Sequence, residues 1–409
     1  MRRLLVVTLA LGVVACGGDS SGPGSGSDQL VVGALLALSG PGQTLGRTSE
    51  AALQLAADDL NAQLTSSGSA ARVSVRVEDT GLDPSVALDQ LKGLAADGVR
   101  LVIGPQSSSE VAALKPFADS AGVVLFSQGS TASSLSLPDD NVFRLVPDDS
   151  HEGQAMVALL SQDGIQTVVP LWREDAGNQG LHDALAGLFP AVGGTVADGT
   201  SYAPGTTDFS AQLQTIRSEV ESALTQNGTA GVAVYLAAFE ESAVIFAQAS
   251  ADPVLSQVRW YGGDGTVQSA AVVADPLAAS FAATTEFRAP TYGLDDQLLQ
   301  EDAGLIASIQ SSTGLAPDAF TLAAHDALHV AVLAWEEVGL DSLAGYRAAV
   351  LRQAAAYTGA TGSTTLNPAG DRAVGDYDFY QVCGGPSPSW SRVAAYRAAG
   401  GTIANVGGC

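Results

Sequence analysis

The sequence alternates short apolar runs with amphipathic stretches, and the alternation occurs in two successive series. The stretch 30–38 (LVVGALLAL) is apolar like a buried strand, and 45–64 follows with apolar residues at helical spacing. Similar pairs continue to about residue 146, and a second series runs over 150–262. Strands that alternate with helices predict parallel sheets with helices on both faces. Two series therefore predict an α/β protein with two doubly wound, Rossmann-like lobes.

The part of the chain after residue 262 is less regular. We predict one more strand near 279–286. Apolar residues at helical spacing then predict three helices, near 296–312, 318–338 and 342–356. The tail over 364–396 has the composition of strands, but nothing in its sequence says which lobe it joins.

Composition excludes several classes of function. The chain has 409 residues, 46% of them hydrophobic and 15% charged, which is enough apolar material for two cores. Its formal net charge of −25 argues against binding to nucleic acid, because a phosphate backbone needs a basic surface, and against docking on anionic lipid. The sequence contains no Walker loop, no dinucleotide motif in its proper context and no nucleophile–base set. We therefore predict no cofactor and no catalytic residues.

The N-terminus has the layout of a secretory signal peptide. Two arginines precede the apolar stretch 4–14, which is too short for a comfortable membrane span, and Cys16 follows it. The sequence up to this cysteine (VVAC) resembles a bacterial lipobox, in which the cysteine becomes the lipidated first residue of the mature chain. We predict a signal peptide at 1–15, followed by a segment over 16–28 that consists of the lipidated Cys16 and a flexible Gly/Ser-rich tether. An ordinary signal peptide with a nearby cleavage site is the alternative.

Cysteine usage is consistent with export. If Cys16 carries lipid, Cys383 and Cys409 remain. A pair of cysteines in an exported protein is most simply a disulfide, which here would attach the C-terminal tail.

One acidic residue stands in an unusual setting. In the stretch 260–267 (WYGGDGTV), Asp264 lies between two glycines directly after an apolar run. One interpretation is a strand-to-helix turn whose aspartate caps the next helix. The other is an acid that faces a ligand at the carboxyl end of a strand, where open α/β sheets place their binding sites.

Four stretches together resemble the type I periplasmic binding proteins of the leucine/isoleucine/valine-binding family, the substrate receptors of branched-chain amino-acid ABC importers. The stretch 31–62 resembles the opening strand, Ser-Gly-Pro loop and first helix of that family, and 99–127 resembles its Gly-Pro-x-Ser-Ser loop with the following helix and strand. The stretch 202–213 (YAPGTTDFSAQL) matches a distinctive sequence segment of that family almost residue for residue. The stretch 260–267 corresponds to the Gly-x-Asp/Glu-Gly motif in the second lobe of the family. The similarity extends in order over 29–397.

The resemblance implies two Rossmann-like lobes joined by three hinge crossovers, with the ligand held in the cleft between them. It places the crossovers near 146–149, 286–290 and 358–372. The late helices would complete lobe 1 and the tail would complete lobe 2. The implied boundaries are 29–146 plus 289–358 for lobe 1 and 147–288 plus 359–409 for lobe 2.

An amino-acid ligand would need donors for its carboxylate. The loop 104–109 follows a strand and opens a helix, where free backbone N–H groups favour an anion, and 127–133 is a second polar loop at a strand end. Thr131 falls where the family has a carboxylate-binding threonine. The hydroxyl-bearing candidates for ligand contact are Ser107, Ser108, Ser109, Ser130 and Thr131. Ordinary helix capping by the same Ser and Thr residues is the alternative.

The ammonium group of such a ligand would need an acceptor, and Asp264 matches the acidic ligand contact of the family. One departure concerns the tyrosine that usually covers the ligand, because this chain has Gly177 there, with Asn178 beside it. Trp172 either compensates for the missing ring or belongs to the core. Phe239 is either a lid over the ligand or core packing. Asn178 and Phe239 complete the predicted ligand contacts.

His325 and His329 lie one helical turn apart, a spacing that could hold zinc. The metalloprotease pattern needs a glutamate base, however, and no third ligand is evident, so we favour a structural helix and predict no metal site. The sequence thus predicts a monomeric, non-enzymatic, extracytoplasmic receptor that delivers a small polar ligand to an ABC permease. The alternatives are a receptor of the same fold that signals to a regulator and, more remotely, a metal-dependent hydrolase.

Overall fold

The computed structural model describes residues 29–294 and 296–409, which form two main sheets covered by helices. The predicted signal peptide, lipidated Cys16 and tether lie outside the described residues. Among the helices in the described ranges, none combines the length and apolar character needed to cross a bilayer.

The smaller sheet has five parallel strands in the order β2-β1-β3-β4-β5. Its strands are β1 (Gln29–Leu36), β2 (Arg72–Asp79), β3 (Leu101–Ile103), β4 (Val124–Ser127) and β5 (Val142–Arg144). The strand order changes direction at β1, as it does in doubly wound sheets whose ligands bind beyond the strand ends.

The larger sheet has nine strands. Those that run parallel are β6 (Thr167–Arg173), β7 (Thr195–Val196), β8 (Thr200–Tyr202), β9 (Val232–Ala237), β10 (Arg259–Gly262) and β11 (Arg288–Tyr292). Three antiparallel strands extend it beyond β11, and a separate two-stranded hairpin precedes them in the chain. The hairpin is β12 (Thr358–Gly359) with β13 (Gly362–Ser363), and the added strands are β14 (Tyr377–Cys383), β15 (Ser389–Arg397) and β16 (Thr402–Asn405).

Helices connect most of the parallel strands, and four helices of the described chain follow one another between β11 and β12. The helices are α1 (Gln43–Ser66), α2 (Pro84–Ala96), α3 (Ser108–Ala121), α4 (Asp149–Gln162), α5 (Ala176–Leu188), α6 (Ser210–Asn227), α7 (Ser242–Ala249), α8 (Ala270–Ala274), α9 (Pro276–Thr284), α10 (Asp296–Glu301), α11 (Ala303–Thr313), α12 (Ala319–Val338) and α13 (Leu343–Ala356). Many of them begin at a local sequence signal. Asp83 caps α2 ahead of Pro84, and Ser107 forms a capping box with Glu110 at the start of α3.

The late helices return to the first sheet. Helix α12 packs against α1, β3 and β4, and α13 packs against α12. The tail instead joins the larger sheet, because β14 pairs antiparallel with β11. We call the smaller sheet with its helices the first lobe and the larger sheet with its helices the second lobe. The predicted α/β class is confirmed by these parallel sheets.

The predicted strand near 279–286 is wrong, because most of this stretch belongs to helix α9. Asp275 caps that helix, Pro276 occupies its first turn, and Phe281 and its neighbours are buried at helical spacing. The strand follows the helix and is β11.

The predicted crossover at 286–290 also needs correction. Residues 289–292, which we assigned to lobe 1, pair with β14 in the larger sheet, so the chain leaves that sheet after Tyr292. The assignment of the tail to lobe 2 from residue 359 onward differs from the structure as well. Asp371 still bridges to Arg144 of the smaller sheet, and the tail enters the larger sheet only at Tyr377.

Cys383 and Cys409 form a disulfide, with 26 positions of sequence separation between them. It joins the end of β14 to the C-terminal residue. The cross-link therefore restrains the outermost strands of the larger sheet.

Candidate functional site

A cavity lies where loops from both lobes meet. It contains about 670 Å³ of space between protein atoms, counted out to its open mouth. Its walls come from the carboxyl ends of parallel strands, which is where α/β sheets bind ligands, and from the start of α12. The lining residues are Pro41, Gly42, Thr44, Leu45 and Thr48 after β1; Leu82 after β2; Gln106 and Ser107 after β3; Gly129 after β4; Phe239 and Glu240 after β9; Asp264, Gly265, Val267, Gln268 and Ser269 after β10; and Ala316, Asp318 and Phe320.

Asp264 lies in the wall of this cavity, and its flanking glycines are explained by close packing. A Cβ atom on Gly263 would come within 2.6 Å of a methyl carbon of Leu181. One on Gly265 would come within 2.5 Å of the carbonyl oxygen of Ala238. A side chain at either position would therefore push the loop away from the second lobe. The interpretation of Asp264 as a helix cap does not hold, because the side chain of Ser269 caps α8.

Two further carboxylates lie behind Asp264, on the first turn of α4. Glu152 accepts a hydrogen bond from the backbone N–H of Asp264 at 3.2 Å. Asp149 is fully buried and Glu152 is 1% exposed. Both oxygens of Asp149 and the Oε2 atom of Glu152 make no well-formed hydrogen bond in the described structure, although the Thr131 hydroxyl lies close to Asp149 and the Asp264 carboxyl close to Glu152. Arg144, the buried cation that acts on Asp149, is itself paired with Asp371.

The acidic cluster has strongly altered proton affinities. Burial raises the pKa of Asp264 to about 7, although its neighbours Gly265 and Thr131 lower it by hydrogen bonding. Burial also raises the pKa of Glu152 and of Asp149 well above the usual range, and the nearby Asp264 carboxylate adds to both shifts. The three acids therefore keep their protons near neutral pH unless a nearby positive charge stabilises the ionised carboxylates.

Ser107 lines the cavity, but its hydroxyl is already engaged within the protein. Its Oγ atom donates to Glu110 Oε2 at 2.7 Å and accepts from the N–H of Glu110 at 3.3 Å. This is the capping box of α3, so the capping alternative describes the side chain of Ser107. The site still gains the N-terminal end of α3, with its favourable potential for an anion.

Ser108, Ser130 and Thr131 hold one another in place beneath the cavity wall. The Oγ atom of Ser108 accepts hydrogen bonds from the backbone N–H groups of Thr131 at 3.2 Å and Ala132 at 3.1 Å. It also accepts one from the hydroxyl of Ser130 at 3.1 Å. These contacts fix the loop after β4 against α3. The structure therefore gives the Ser108 and Ser130 hydroxyls a positioning role, while Thr131 lies beside Asp264.

The other predicted contacts lie at the interface between the lobes. Ser109 accepts a hydrogen bond from the backbone N–H of Ala176 at 3.0 Å, which joins α3 to α5. Asn178 is buried and donates to Asp175, the cap of α5. Gly177, at the position of the expected tyrosine, faces Ser108, whose Oγ would lie 3.5 Å from an added Cβ.

Trp172 does not replace the missing tyrosine. Its ring stacks on His182 with centroids 4.0 Å apart, and its indole N–H donates to Gln179 at 2.9 Å. Phe239 does line the cavity. The guanidinium of Arg173 lies 5.3 Å from the centre of the Phe239 ring, which fixes the ring at the mouth.

A polar contact closes the two lobes over the cavity. The carboxylate of Glu240, in the second lobe, accepts hydrogen bonds from the backbone N–H of Thr44 at 3.0 Å and from the Thr44 hydroxyl. The backbone N–H of Glu240 donates to the carbonyl of Pro41 at 3.3 Å. Together with the bond from Ala176 to Ser109, these contacts define a closed arrangement of the cleft.

Replacing Glu240 by alanine is expected to weaken this closed arrangement. Two hydrogen bonds to a partly buried carboxylate are lost, and hydrogen bonds to charged groups contribute roughly 1.5–3 kcal/mol each. The radius of gyration from small-angle X-ray scattering should increase. Glu221→Ala is the matched control, because Glu221 pairs with Arg217 on the exposed face of α6. Equal scattering from both variants would contradict the role of Glu240.

Sequence reasoning missed several residues of the site. Glu240 directly follows Phe239 at the end of β9, so the strand-end argument applied to Phe239 could have found it. Gln106 lies in the same loop as Ser107 and donates to the carbonyl of Gly42 at 3.0 Å. Glu152 had no such signal, because it lies inside a helix and reaches the site only through the tertiary fold.

His325 and His329 are both buried, on α12. Their rings lie 4.7 Å apart, and burial lowers the pKa of His329 to about 4. Asp326 accepts hydrogen bonds from the backbone N–H groups of Ala360 and Thr361 at 2.8 Å each. This helix thus anchors the β12–β13 hairpin. Within the described ranges, no group of three or more His, Cys, Asp or Glu side chains is placed to hold a metal ion.

The sequence profile of the family described as "Receptor family ligand binding region" matches residues 48–385, which is most of the chain. The chain belongs to this family. Its fold is that of the type I periplasmic binding proteins, and the predicted resemblance to the leucine/isoleucine/valine-binding branch is confirmed by the relatives and solved structures that follow.

Three relatives are similar in sequence to this family member over different shares of its length. An uncharacterized protein of Methanocaldococcus jannaschii is 28% identical over 399 residues, covering 93% of this chain and 92% of the relative. The Leu/Ile/Val-binding protein BraC3 of Rhizobium johnstonii is 23% identical over 86% of this chain and 91% of its own length. The chemotactic signal transduction system substrate-binding protein BasB of Halobacterium salinarum is 32% identical, but over 38% of this chain and 40% of its own.

Solved structures share the fold at low sequence identity. The leucine-binding protein LivK of Thermotoga maritima superposes with a TM-score of 0.73 at 19% identity, covering 91% of this family member and 99% of that chain. A solute-binding protein of an ABC transporter from R. palustris, solved with benzoate, has a TM-score of 0.70 at 19% identity and covers 89% and 95%. The fold thus accommodates ligands with and without an amino group, so the cavity residues must decide the ligand.

Proposed function

We propose that the protein is an extracytoplasmic receptor that captures a small amine-bearing ligand between its lobes and presents it to an ABC importer. The observation that carries this proposal is the acidic wall of the cavity. Asp264, Glu240 and Asp318 all face it, and its described lining includes no lysine, arginine or histidine. An ammonium group is the natural partner for such a wall, since charge-assisted hydrogen bonds are the strongest available.

The mechanism is hinge closure driven by the ligand. A ligand that contacts both lobes binds the closed arrangement more tightly than the open one, and it shifts the population accordingly. Glu240 and Thr44 make their contact across the cleft in this arrangement. A permease could then distinguish the loaded receptor by its closed surface.

The proposal includes the cellular setting. A signal peptide over 1–15 would direct export, a lipid on Cys16 would anchor the chain, and the tether to residue 28 would let a monomeric receptor move beside its permease. The relatives named above that bind branched-chain amino acids support the transport role through their family membership.

The test is a thermal-shift screen of residues 29–409 with amino acids, simple amines and aromatic acids. A ligand at a hundredfold excess over its Kd stabilises the folded state by about 2.7 kcal/mol, which raises the melting temperature measurably. Amine-bearing compounds should give such shifts and benzoate should not. A shift from benzoate alone would exclude the proposed ligand class.

The relative from Halobacterium salinarum supports a second candidate function. That relative is named as the substrate-binding protein of a chemotactic signal transduction system, so a receptor of this fold could signal to a sensor instead of feeding a transporter. Neighbouring permease genes would favour transport. A neighbouring transducer gene without a permease would favour signalling.

A further inference from the structure

We propose that the ligand is a net cation with two positively charged groups joined by an apolar spacer, such as a diamine, and not a zwitterionic amino acid. This inference rests on the proposed receptor function and narrows its ligand class. It is carried by the distribution of charge, apolar surface and engaged donors around the cavity.

The cavity wall carries three carboxylates from three separate elements. Asp264 follows β10, Glu240 follows β9, and Asp318 caps α12. Glu240 is neutralised in part by the donors of Thr44, and Asp318 by the N–H of Thr321. No basic residue belongs to the described lining. A single ammonium group would engage one of these acids and leave the others without a cationic partner.

Further acids lie behind the wall. Glu152 and Asp149 are almost completely buried, and within the described part of the chain the side-chain groups close to their remaining oxygens are the Asp264 carboxyl and the Thr131 hydroxyl. Glu152 contacts the backbone of Asp264 directly. Buried acids with poorly bonded oxygens are rare in folded proteins, because removing a polar group from water without a good partner is costly. Their presence next to a ligand cavity indicates that a positive charge from outside completes the site.

Most side-chain donors that the first lobe contributes to the cavity are already engaged within the protein. The hydroxyl of Ser107 is engaged with Glu110, that of Thr44 with Glu240, and that of Thr48 with backbone carbonyls and Thr321. The Gln106 amide is engaged with Gly42. A ligand carboxylate would therefore depend mainly on the N-terminal end of α3, opposite a wall of acids, which opposes a zwitterion.

The remaining wall is apolar and matches a hydrocarbon spacer. Its large apolar side chains come from both lobes and from α12, namely Leu45, Leu82, Phe239, Val267 and Phe320. Each methylene group buried against this surface favours binding. An alkyl chain with a cationic group at each end would use both the apolar middle and the acidic wall.

Ligand entry should release a proton. Without ligand, burial keeps the pKa of Asp264 near 7 and that of Glu152 well above its usual range. The ionisable and charged groups around this pair are Asp148, Asp149, Asp175, Asp318, Tyr235, Tyr377 and Arg144. Most of them are acidic, so a ligand ammonium is the compensating charge that lets the pair ionise.

The experiment is titration calorimetry on residues 29–409 with ligands matched in length: 1,5-diaminopentane, pentylamine and 5-aminopentanoate. We expect the diamine to bind at least tenfold more tightly than pentylamine and at least a hundredfold more tightly than 5-aminopentanoate. Repeating the titration at pH 6 in buffers of different ionisation enthalpy should show proton release on binding the diamine.

The outcomes separate this inference from the proposed function. Tighter binding of 5-aminopentanoate, or of leucine, than of the diamine would overturn the cation inference while leaving an amine receptor. Failure of every amine and amino acid to bind would overturn both. In the variant Glu152→Gln we expect at least tenfold weaker diamine binding and less proton release, whereas exposed Asp198→Asn should change neither. Unchanged binding and proton release in a folded Glu152→Gln protein would also overturn it.

Discussion

Replacing Asp264 by asparagine is expected to stabilise the ligand-free protein at pH 8 by about 2–4 kcal/mol, since each pKa unit corresponds to about 1.36 kcal/mol. Burial raises the pKa of the Asp264 carboxyl in the folded protein from its ordinary value of 3.8 to about 7. Between these values the folded protein keeps a proton that the unfolded chain has lost. The free energy of unfolding therefore falls as the pH rises from about 4 to 7, and asparagine removes this loss.

The measurement is urea unfolding followed by circular dichroism at pH 4 and pH 8. Near pH 4 the folded state is protonated and the unfolded state is about half ionised, so the variant and the parent protein should differ by well under about 1 kcal/mol. Exposed Asp198→Asn is the control and should leave the pH dependence unchanged. A stability gain of the same size at both pH values would show that the effect is not due to ionisation. The variant should also lose most affinity for an amine ligand, because its acceptor has lost its charge.

Replacing Arg144 by leucine is expected to lower the free energy of unfolding by about 3–5 kcal/mol, the usual cost of breaking a buried ion pair from one side. Arg144 is fully buried. Its Nε and Nη2 atoms donate to the two oxygens of Asp371 at 2.6 and 2.9 Å. Its Nη1 atom donates to the carbonyls of Ser130 at 3.3 Å and Ala132 at 2.8 Å. The Arg144→Leu variant leaves the buried Asp371 carboxylate and the two backbone carbonyls without their hydrogen-bond donor, which destabilises the folded state.

The matched control is Arg352→Leu. Arg352 pairs with Glu337 at the surface, with 55% of its side chain exposed, and exposed ion pairs contribute about 0–1 kcal/mol. Urea unfolding at pH 7 compares the two variants. Similar small losses in both would contradict a structural role for the buried pair. Because Arg144 also holds the loop 130–132 beside Asp264, its variant should bind an amine less tightly as well.

Elements with local signals were predicted closely. Helix α3 was predicted over 108–121 and has those bounds, because a capping box opens it and Gly122 closes it in the left-handed conformation. The strand prediction over 279–286 was wrong, because a short run of alanine and phenylalanine is compatible with either a strand or a buried helix. The deciding signal was Asp275 followed by Pro276, a cap and a first-turn residue that the prediction did not use.

The structure brings only part of the predicted site together at the cavity. Asp264, Ser107 and Phe239 all line the cavity, as expected for residues at strand ends. Ligand contact by the eight predicted residues stays a prediction. The hydroxyl of Ser108 shows why sequence left two readings open, since its partners lie 23 and 24 positions away in the loop after β4.

The sequence by itself determined the alternating α/β architecture, the family and the strand-end position of Asp264, because periodicity, caps and glycine turns act between near neighbours. Only the tertiary structure decided what surrounds that aspartate. It brings Glu240, after β9, and Asp318, the cap of α12, to the same cavity and places Glu152 of α4 behind Asp264. Desolvation and charge depend on distances in space, so residues far apart in the chain determine the electrostatics of the site.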